Sequence, residues 1–445
     1  MKHFISLATL LISTQITFAQ TEKINLSDYK LPEMKRHQLD LSVNSQGSKL
    51  SSQYYYEYEN QTDTFIRKEN TFRGTGNLSY SFYQNSEKIQ SDINSLIYGN
   101  YNKSDYNNPN YGIDQTDFNS FLYFNYDLKY FLTPDNWFIN VAPKIETSYN
   151  NYNQYNSESE YLNASPAIRI GGGKGRIEQV QDLRHAILLV EEFQKRGVSK
   201  RILTEQEILE FASLISQLKN QRFFDARKQK EKELVALDSF LVEKGALEDN
   251  DILYFTGLED IWSYGGLQIR ESGKQLIFTI TPDYDYLKDL HKTENNITED
   301  WSLFYNLAFI SKKPLSIKWQ TDYDLGIRHM STYRLRQMYE GIPEQSYFSE
   351  IYLNSQIGYY PNTRTNFIVN GKFDLANYSD EKIFDKENFG IEFIFSTSGY
   401  YYISEKLRLG YSIQFDALKG VFNSKTQDNY QKHLNYNFNL NYAIF

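Results

Sequence analysis

The sequence predicts an all-β transmembrane barrel of about 14 antiparallel strands with an inserted α-helical module. Three observations lead to this fold class. Apolar and polar residues alternate over long segments, long and short connections alternate between those segments, and one stretch changes to helical periodicity. Aromatic residues make up 16% of the 445 residues, which argues against a disordered chain, because disordered segments contain few aromatic residues.

Composition and charge exclude several classes of function. The chain has 47 Lys and Arg against 56 Asp and Glu, a net charge of -9, which argues against a nucleic-acid-binding protein. It contains no cysteine, so disulfide scaffolds, thiolate metal sites and a cysteine nucleophile are excluded. The histidines show no zinc-binding spacing. We therefore expect no metal and no cofactor.

The N-terminus has the pattern of a secretory signal peptide. Met1-Lys2-His3 is a short basic start, the stretch from Phe4 to Phe18 is mostly apolar, and Ala19 precedes the polar residue Gln20. We expect residues 1–19 to be removed on export and residues 20–38 to form a periplasmic N-terminal segment.

Period-two alternation is the main structural signal. In the last segment the apolar residues all fall on one face: Leu434, Tyr436, Phe438, Leu440, Tyr442 and Ile444. Asparagines occupy the intervening positions, as expected for a strand with one apolar and one wet face. Similar segments predict strands 1–6 within residues 39–170 and strands 7–14 within residues 266–445.

The connections alternate in length along the chain. Short ones are expected at residues 85–88, 133–136 and 312–314, and long ones near residues 103–116 and 330–346. Short turns on one side and long loops on the other are typical of outer-membrane barrels. If strand 1 starts in the periplasm, every long loop lies outside the cell.

The chain ends on an aromatic residue, Phe445, directly after a strand that carries Phe438 and Tyr442. Together with the signal peptide, this ending resembles Gram-negative outer-membrane β-barrel proteins of porin-like type, here with a periplasmic helical insertion. The resemblance is to a class and not to one characterised family. It implies contact with outer-membrane lipid and recognition of Phe438, Tyr442 and Phe445 by the barrel-assembly machinery.

Residues 171–265 interrupt the strand pattern. Three helices are expected between residues 176 and 251, the first with an apolar stripe that includes Ile177 and Leu183 and with an end at Gly197. Thr204 and Glu207 have the spacing of a capping box. The glycines from Gly171 to Gly175 are interpreted as a hinge. Strand parity places this module in the periplasm, where it could dock a protein or cell-wall partner or plug the barrel mouth.

Charged residues on the polar faces of the strands are the candidate pore lining, because charges in a wet lumen tune solute preference. These residues are Lys129, Lys144, Glu146, Arg169, Lys318, Asp322, Asp324, Arg328, Lys372, Asp374, Glu392, Arg408 and Asp416.

Two functions of different classes fit these features. The first is a porin-like channel for small polar solutes. The second is a membrane-anchored structural or docking protein whose helical module binds a periplasmic partner. An enzyme is not expected; its one candidate site is an outer-rim hydrolase that uses Asp283, Asp285 and His329.

Overall fold

The structure is a computed structural model. It describes residues 24–58, 61–108, 111–132, 137–154, 157–220, 226–247, 252–265, 268–291, 294–336, 344–380, 388–403, 407–421 and 428–442. The expected signal peptide 1–19 and Phe445 lie outside these ranges.

Fourteen antiparallel strands form one sheet in which each strand pairs with its neighbours in sequence. The strands are β1 (Met34–Tyr58), β2 (Gln61–Asn85), β3 (Ile89–Asn108), β4 (Tyr111–Phe131), β5 (Trp137–Gln154), β6 (Ser157–Gln179), β7 (Glu271–His291), β8 (Glu294–Pro314), β9 (Trp319–Arg336), β10 (Glu344–Tyr359), β11 (Thr365–Asp380), β12 (Asn388–Tyr402), β13 (Leu407–Val421) and β14 (Asp428–Tyr442). The predicted fold class, about 14 antiparallel strands with an inserted helical module, is confirmed.

Several strands are longer than the sequence pattern predicted. β1 begins at Met34 and not at residue 39, and the predicted long connection at residues 103–116 is wrong. There β3 continues to Asn108 and β4 starts at Tyr111, with these two residues in register. Pairing continues through polar residues because the ladder satisfies the backbone groups of both strands, whatever the side chains are.

The outer face of the sheet is apolar and exposed. Along β7, Leu276 and Phe278 are 50% and 46% exposed, and Leu307 on β8 and Leu325 on β9 are 45% and 47% exposed. The same pattern extends to Leu409 on β13 and Leu440 on β14. An apolar band of this size does not occur on an ordinary soluble surface and is typical of a lipid-facing barrel wall.

The inner face is polar and concave. Arg176 on β6 reaches the turn between β2 and β3, where it donates to Ser86 O at 2.7 Å and to Glu87 O at 2.9 Å. Lys129 on β4 donates to Gln275 on β7 at 3.1 Å. Strands that are several positions apart in the sheet touch only if the sheet curls towards this face. β1 and β14 are the first and last strands in the order, and their pairing to close the barrel stays a prediction.

The glycines Gly171–Gly175 are part of β6 and do not form a hinge. A Cβ atom at Gly171 would collide with the Phe278 carbonyl oxygen, and one at Gly173 with the Leu276 carbonyl oxygen and the ring of Phe138. Gly175 has φ +102. Glycine is required here because β6 approaches β7 more closely than a side chain allows.

Four α-helices lie between β6 and β7: α1 (Gln181–Arg196), α2 (Glu205–Asn220), α3 (Ala226–Glu243) and α4 (Ile252–Gly265). We call residues 181–265 the helical module. The helices α1, α2 and α3 lie within the range 176–251 where three helices were expected, and α4 is an additional helix that the sequence pattern did not predict. The expected start near residue 176 was wrong, since Ile177 belongs to β6. No described helix is both long and apolar enough to cross a membrane.

The helix-end signals are confirmed. Gly197 ends α1 in the left-handed conformation with φ 72. Thr204 N donates to Glu207 Oε2 at 2.8 Å, and Glu207 N donates to Thr204 Oγ1 at 3.3 Å, so the two residues form a reciprocal capping box.

Candidate functional site: an inner cavity above a helical module

A cavity of about 730 Å³ lies on the inner face of β4–β10. We call it the inner cavity. Polar and charged side chains dominate its lining because every second residue of each strand points inward. The lining residues are Asn125, Asp127, Lys129, Ala142, Lys144, Ala167, Arg169, Gln275, Ile277, Thr279, Thr281, Asp283, Phe304, Asn306, Ala308, Ile310, Asp324, Arg328 and Tyr352.

Five of the candidate pore-lining residues line the inner cavity: Lys129, Lys144, Arg169, Asp324 and Arg328. A sixth, Glu146, forms an ion pair with Lys144 at 3.0 Å. Strand alternation thus brings together side chains from β4, β5, β6 and β9.

The other candidates lie outside the inner cavity. Asp322 pairs with Lys312 at 3.2 Å. Lys372 pairs with Glu392 at 2.7 Å and also with Asp374.

Arg408, Asp416 and Lys318 complete the set. The Arg408 guanidinium lies over the Tyr402 ring at 5.8 Å, and Asp416 accepts a hydrogen bond from Gln414 at 2.8 Å. Lys318 lies in the turn between β8 and β9 and is exposed, because β8 ends at Pro314 and β9 begins at Trp319.

Several inward-facing residues in or beside the cavity were absent from the candidate set. Asp127 forms an ion pair with Arg169, and Glu350 pairs with Arg328 at 3.2 Å. Both carboxylates occupy inward positions, so the alternation that selected Lys129 and Arg328 could have found them. Tyr352 is a different case: it is 3% exposed, and its hydroxyl donates to Asn306 at 3.3 Å. The alternation of charged residues does not identify an aromatic residue on the polar face as part of the lining.

A small apolar cluster crosses the inner face beside the cavity. It consists of Phe131, Phe138, Ile277, Ala308 and Tyr352, which come from five different strands. Phe131 and Phe138 are at most 2% exposed. Because they stand at the ends of β4 and β5 next to their connecting turn, this cluster narrows the inner space towards the short-turn end of the sheet.

The helical module packs against that same end. Its buried core is continuous with Leu26, Tyr29 and Leu31 from the N-terminal segment, with Met34 at the start of β1 and with Ile317 from the β8–β9 turn. Tyr83 near the end of β2 packs against this core. The module therefore contacts the wall at β1–β2 and again at β8–β9, and it lies across the mouth between them.

Two buried arginines anchor the module to the turns. Arg184 on α1 donates to Ile317 O at 3.0 Å and to Tyr360 O and Asn362 O at 3.3 Å each. Arg270, just before β7, donates to Ile317 O at 2.8 Å and to Ser316 O at 2.9 Å. Burial, and then the neighbouring Arg270, lower the pKa of Arg184. The carbonyl oxygens of three turn residues accept hydrogen bonds from Nε and Nη2 of its buried guanidinium.

A third anchor joins α4 to the next turn. Arg364, between β10 and β11, forms an ion pair with Asp260 and lies over the Tyr264 ring at 4.9 Å. Tyr264 also packs against Tyr402 at the end of β12, with 5.3 Å between ring centroids. Together the contacts run from β1 to β12, which is most of the way round the sheet.

Hydrogen bonds also hold the module together internally. The buried carboxylate of Asp182 accepts from Ser216 and from Lys219, each at 2.6 Å, which ties α1 to α2. Trp262 donates to Glu233 at 2.8 Å and ties α4 to α3. Burial raises the pKa of Tyr254 at the core of the module. These contacts make the module one packed unit and not a set of loose helices.

The residues of the hydrolase hypothesis lie on opposite faces of the sheet. Asp283 lines the inner cavity. His329 is on the outer face, because it directly follows the cavity-lining Arg328 and lies two positions after the exposed outer residue Ile327. His329 Nδ1 is 2.9 Å from Ser349 Oγ. A carboxylate and a histidine separated by the sheet cannot activate the same water molecule.

No protein-family model matches this chain, and no curated protein matches it. One solved structure that it matches is the translocator domain of the autotransporter NalP from Neisseria meningitidis, at 7% identity and a TM-score of 0.27, over 90% of this chain and 96% of that chain.

Proposed function

We propose that this chain is an outer-membrane β-barrel that passes small polar solutes and is held closed at its short-turn mouth by the helical module. The observation that supports this best is the charged inner cavity on the same side of the sheet as a module that packs across the mouth. A wall that served only as an anchor would be expected to fill its inner face with packed side chains.

The channel proposal is tested by removing the module without disturbing the sheet. Gln179 on β6 pairs directly with Glu271 on β7, so an Asn-Gly turn can replace residues 180–270 and join the two strands as a tight hairpin. In planar lipid bilayers we expect the full chain to open rarely and this variant to give larger, persistent conductance steps. If neither protein gives conductance steps, the proposal is contradicted.

A milder variant keeps the module in place. Arg364→Gln removes the ion pair to Asp260 and the stacking on Tyr264, and we expect it to raise the frequency of opening. Arg201→Gln is the matched control, because Arg201 bonds to Glu207 and to the Lys244 carbonyl within the module. We expect it to leave opening unchanged.

A docking function is the second candidate. Ile252 and Leu253 at the start of α4 are 77% and 52% exposed, and Ile202 is 73% exposed, so the module offers apolar side chains for a periplasmic partner. Site-specific photo-crosslinking from position 252 in the full chain tests this. Docking would be favoured over transport if one discrete protein is cross-linked and the deletion variant shows no conductance in planar bilayers.

A further inference from the structure

The inner cavity has the size and lining of a small-molecule site. Its volume of about 730 Å³ lies within the range of roughly 300–1,000 Å³ that is usual for ligand pockets. The described lining residues contribute hydroxyls, amides and both signs of charge, with apolar side chains beside them. Such a lining selects solutes by polar contacts and not by size alone.

Most charges at the cavity are neutralised by a neighbour. Arg169 pairs with Asp127, Lys144 with Glu146, and Arg328 with Glu350. Each pair is formed between nearby inward positions of the wall. These residues therefore contribute little net charge to a ligand in the cavity.

Three charges at the cavity form no ion pair within 4 Å among the described residues. Lys129 donates to the side-chain amide of Gln275 at 3.1 Å. Asp283 accepts a long hydrogen bond from Ser165 at 3.4 Å. Asp324 Oδ1 is buried and has no hydrogen-bond partner in the described part of the chain. A buried carboxylate oxygen without a partner is costly unless a ligand or water supplies one.

These three charges face the cavity from different walls. Lys129 lies on β4, Asp283 on β7 and Asp324 on β9, and all three line the cavity. In a curled sheet with consecutive strand order, β4 and β9 are separated by four strands. Lys129 nevertheless reaches Gln275 on β7, which is in register with Asp324 through Ile310 on β8. Lys129 and Asp324 therefore face the cavity at one level, and the described part of the chain shows no ion pair between them.

We propose that the inner cavity binds a small zwitterion with a free amino group and a free carboxylate, the class of amino acids and short peptides. Lys129 receives the carboxylate, and Asp324 receives the ammonium group. This inference rests on the proposed function, since it names the solute class that the barrel passes.

The test is titration calorimetry of the full chain in detergent with dialanine as the probe. We expect dialanine to bind and N-acetyl-dialanine amide, which lacks both charges, to bind at least about tenfold more weakly. Lys129→Gln and Asp324→Asn are each expected to weaken dialanine binding about tenfold and to leave the weak binding of the capped peptide unchanged.

Two substitutions away from the cavity serve as controls. Lys318→Gln in the exposed β8–β9 turn and Asp416→Asn on β13 remove the same charges and are expected to leave dialanine binding unchanged. Heat-modifiable gel migration of each variant verifies its folding. Equal binding of the free and capped peptides, or unchanged binding in folded Lys129→Gln, would overturn the inference.

The two proposals can fail separately. If the module-deletion variant conducts potassium chloride but dialanine binds no better than its capped form, the channel proposal stands and the zwitterion site is wrong. If dialanine binds through Lys129 and Asp324 but the deletion variant is silent, the site stands and the channel proposal is wrong.

Discussion

At Gly171, β6 lies so close to β7 that no space is left for a Cβ atom. We expect Gly171→Ala to destabilise the pairing of β6 and β7 by about 1–3 kcal/mol, because the new Cβ would collide with the Phe278 carbonyl oxygen. The measurement is the denaturation midpoint in detergent. Gly99→Ala is the control, since no atom lies within 4 Å of its added Cβ. Equal midpoints for the two variants would contradict this explanation.

The capping box gives the helical module a pH dependence. Hydrogen bonds from Arg201 and from Thr204 lower the pKa of Glu207 to about 2, below an ordinary value of about 4.3. A carboxyl whose pKa is lower in the folded state stabilises that state above the ordinary value and loses this contribution as pH falls towards 2. We therefore expect the helical melting temperature to drop between about pH 5 and pH 2.

The Glu207→Gln variant isolates this effect. Its melting temperature should change less over the same pH interval, because the side chain no longer titrates. The difference should be small, because Glu207 and Arg201 lie at the protein surface, where solvent screens their ion pair. An identical pH profile in the variant and the parent protein would show that other carboxyls, such as Glu210 with its own lowered pKa, account for the acid sensitivity.

Single residues could be assigned from the sequence where a local rule applied. The Thr204–Glu207 box and the Gly197 helix end follow from short-range backbone chemistry, and both are present. The interpretation of Gly171–Gly175 as a hinge failed because a run of glycines marks either a flexible link or a close approach of two strands. Only the position of β7 distinguishes these alternatives.

At the scale of elements, the strands and the first three helices were predictable from the sequence, and the helix α4 was not. Each strand carries period-two alternation, so all 14 could be found. The helix α4 was missed because Leu258, Ile261 and Trp262 are buried while Ile252 and Leu253 are exposed, so its apolar residues do not form a single stripe. Neighbouring helices, and not an amphipathic pattern, determine which of its residues are buried.

Docking of α1 onto the sheet depends on Arg184. We expect Arg184→Met to destabilise the docked module by about 3 kcal/mol or more, because the carbonyl oxygens of Ile317, Tyr360 and Asn362 lose a charged donor. Hydrogen exchange at residues 315–318 and 360–364 should accelerate. Arg201→Met is the control, because Arg201 bonds within the module. Unchanged exchange at both turns would show that the module docks by other contacts.

The two faces of the sheet should respond differently to the same substitution. Leu307→Arg places a charge on the apolar outer face and should cost about 2–4 kcal/mol in a bilayer. Asn306→Arg places the same charge on the wet inner face and should cost much less. Folding titrations into lipid vesicles measure both values. A greater loss for Asn306→Arg would reverse the assignment of inner and outer faces.

The whole molecule combines an outer apolar band, a charged inner face and a module across the mouth. The first two follow from sequence alternation. The third was one of two alternatives that the sequence left open, because the contacts of Arg184, Arg270 and Arg364 join residues far apart in sequence. Only part of the expected lumen lining lies at the inner cavity, since alternation gives the face of a residue but not its height in the barrel.

Closure of the sheet between β1 and β14 is the central claim, and disulfide cross-linking tests it most directly. The chain has no cysteine, so single cysteines can replace Leu39, Leu41 or Val43 on β1 and Leu434, Tyr436, Phe438 or Leu440 on β14. Neighbouring antiparallel strands bring paired Cα atoms within about 4.5–5.5 Å, close enough for a disulfide. In outer membranes we predict efficient cross-linking for one register of pairs and none for the others. Failure of every pair in a folded, membrane-inserted protein would contradict a closed barrel.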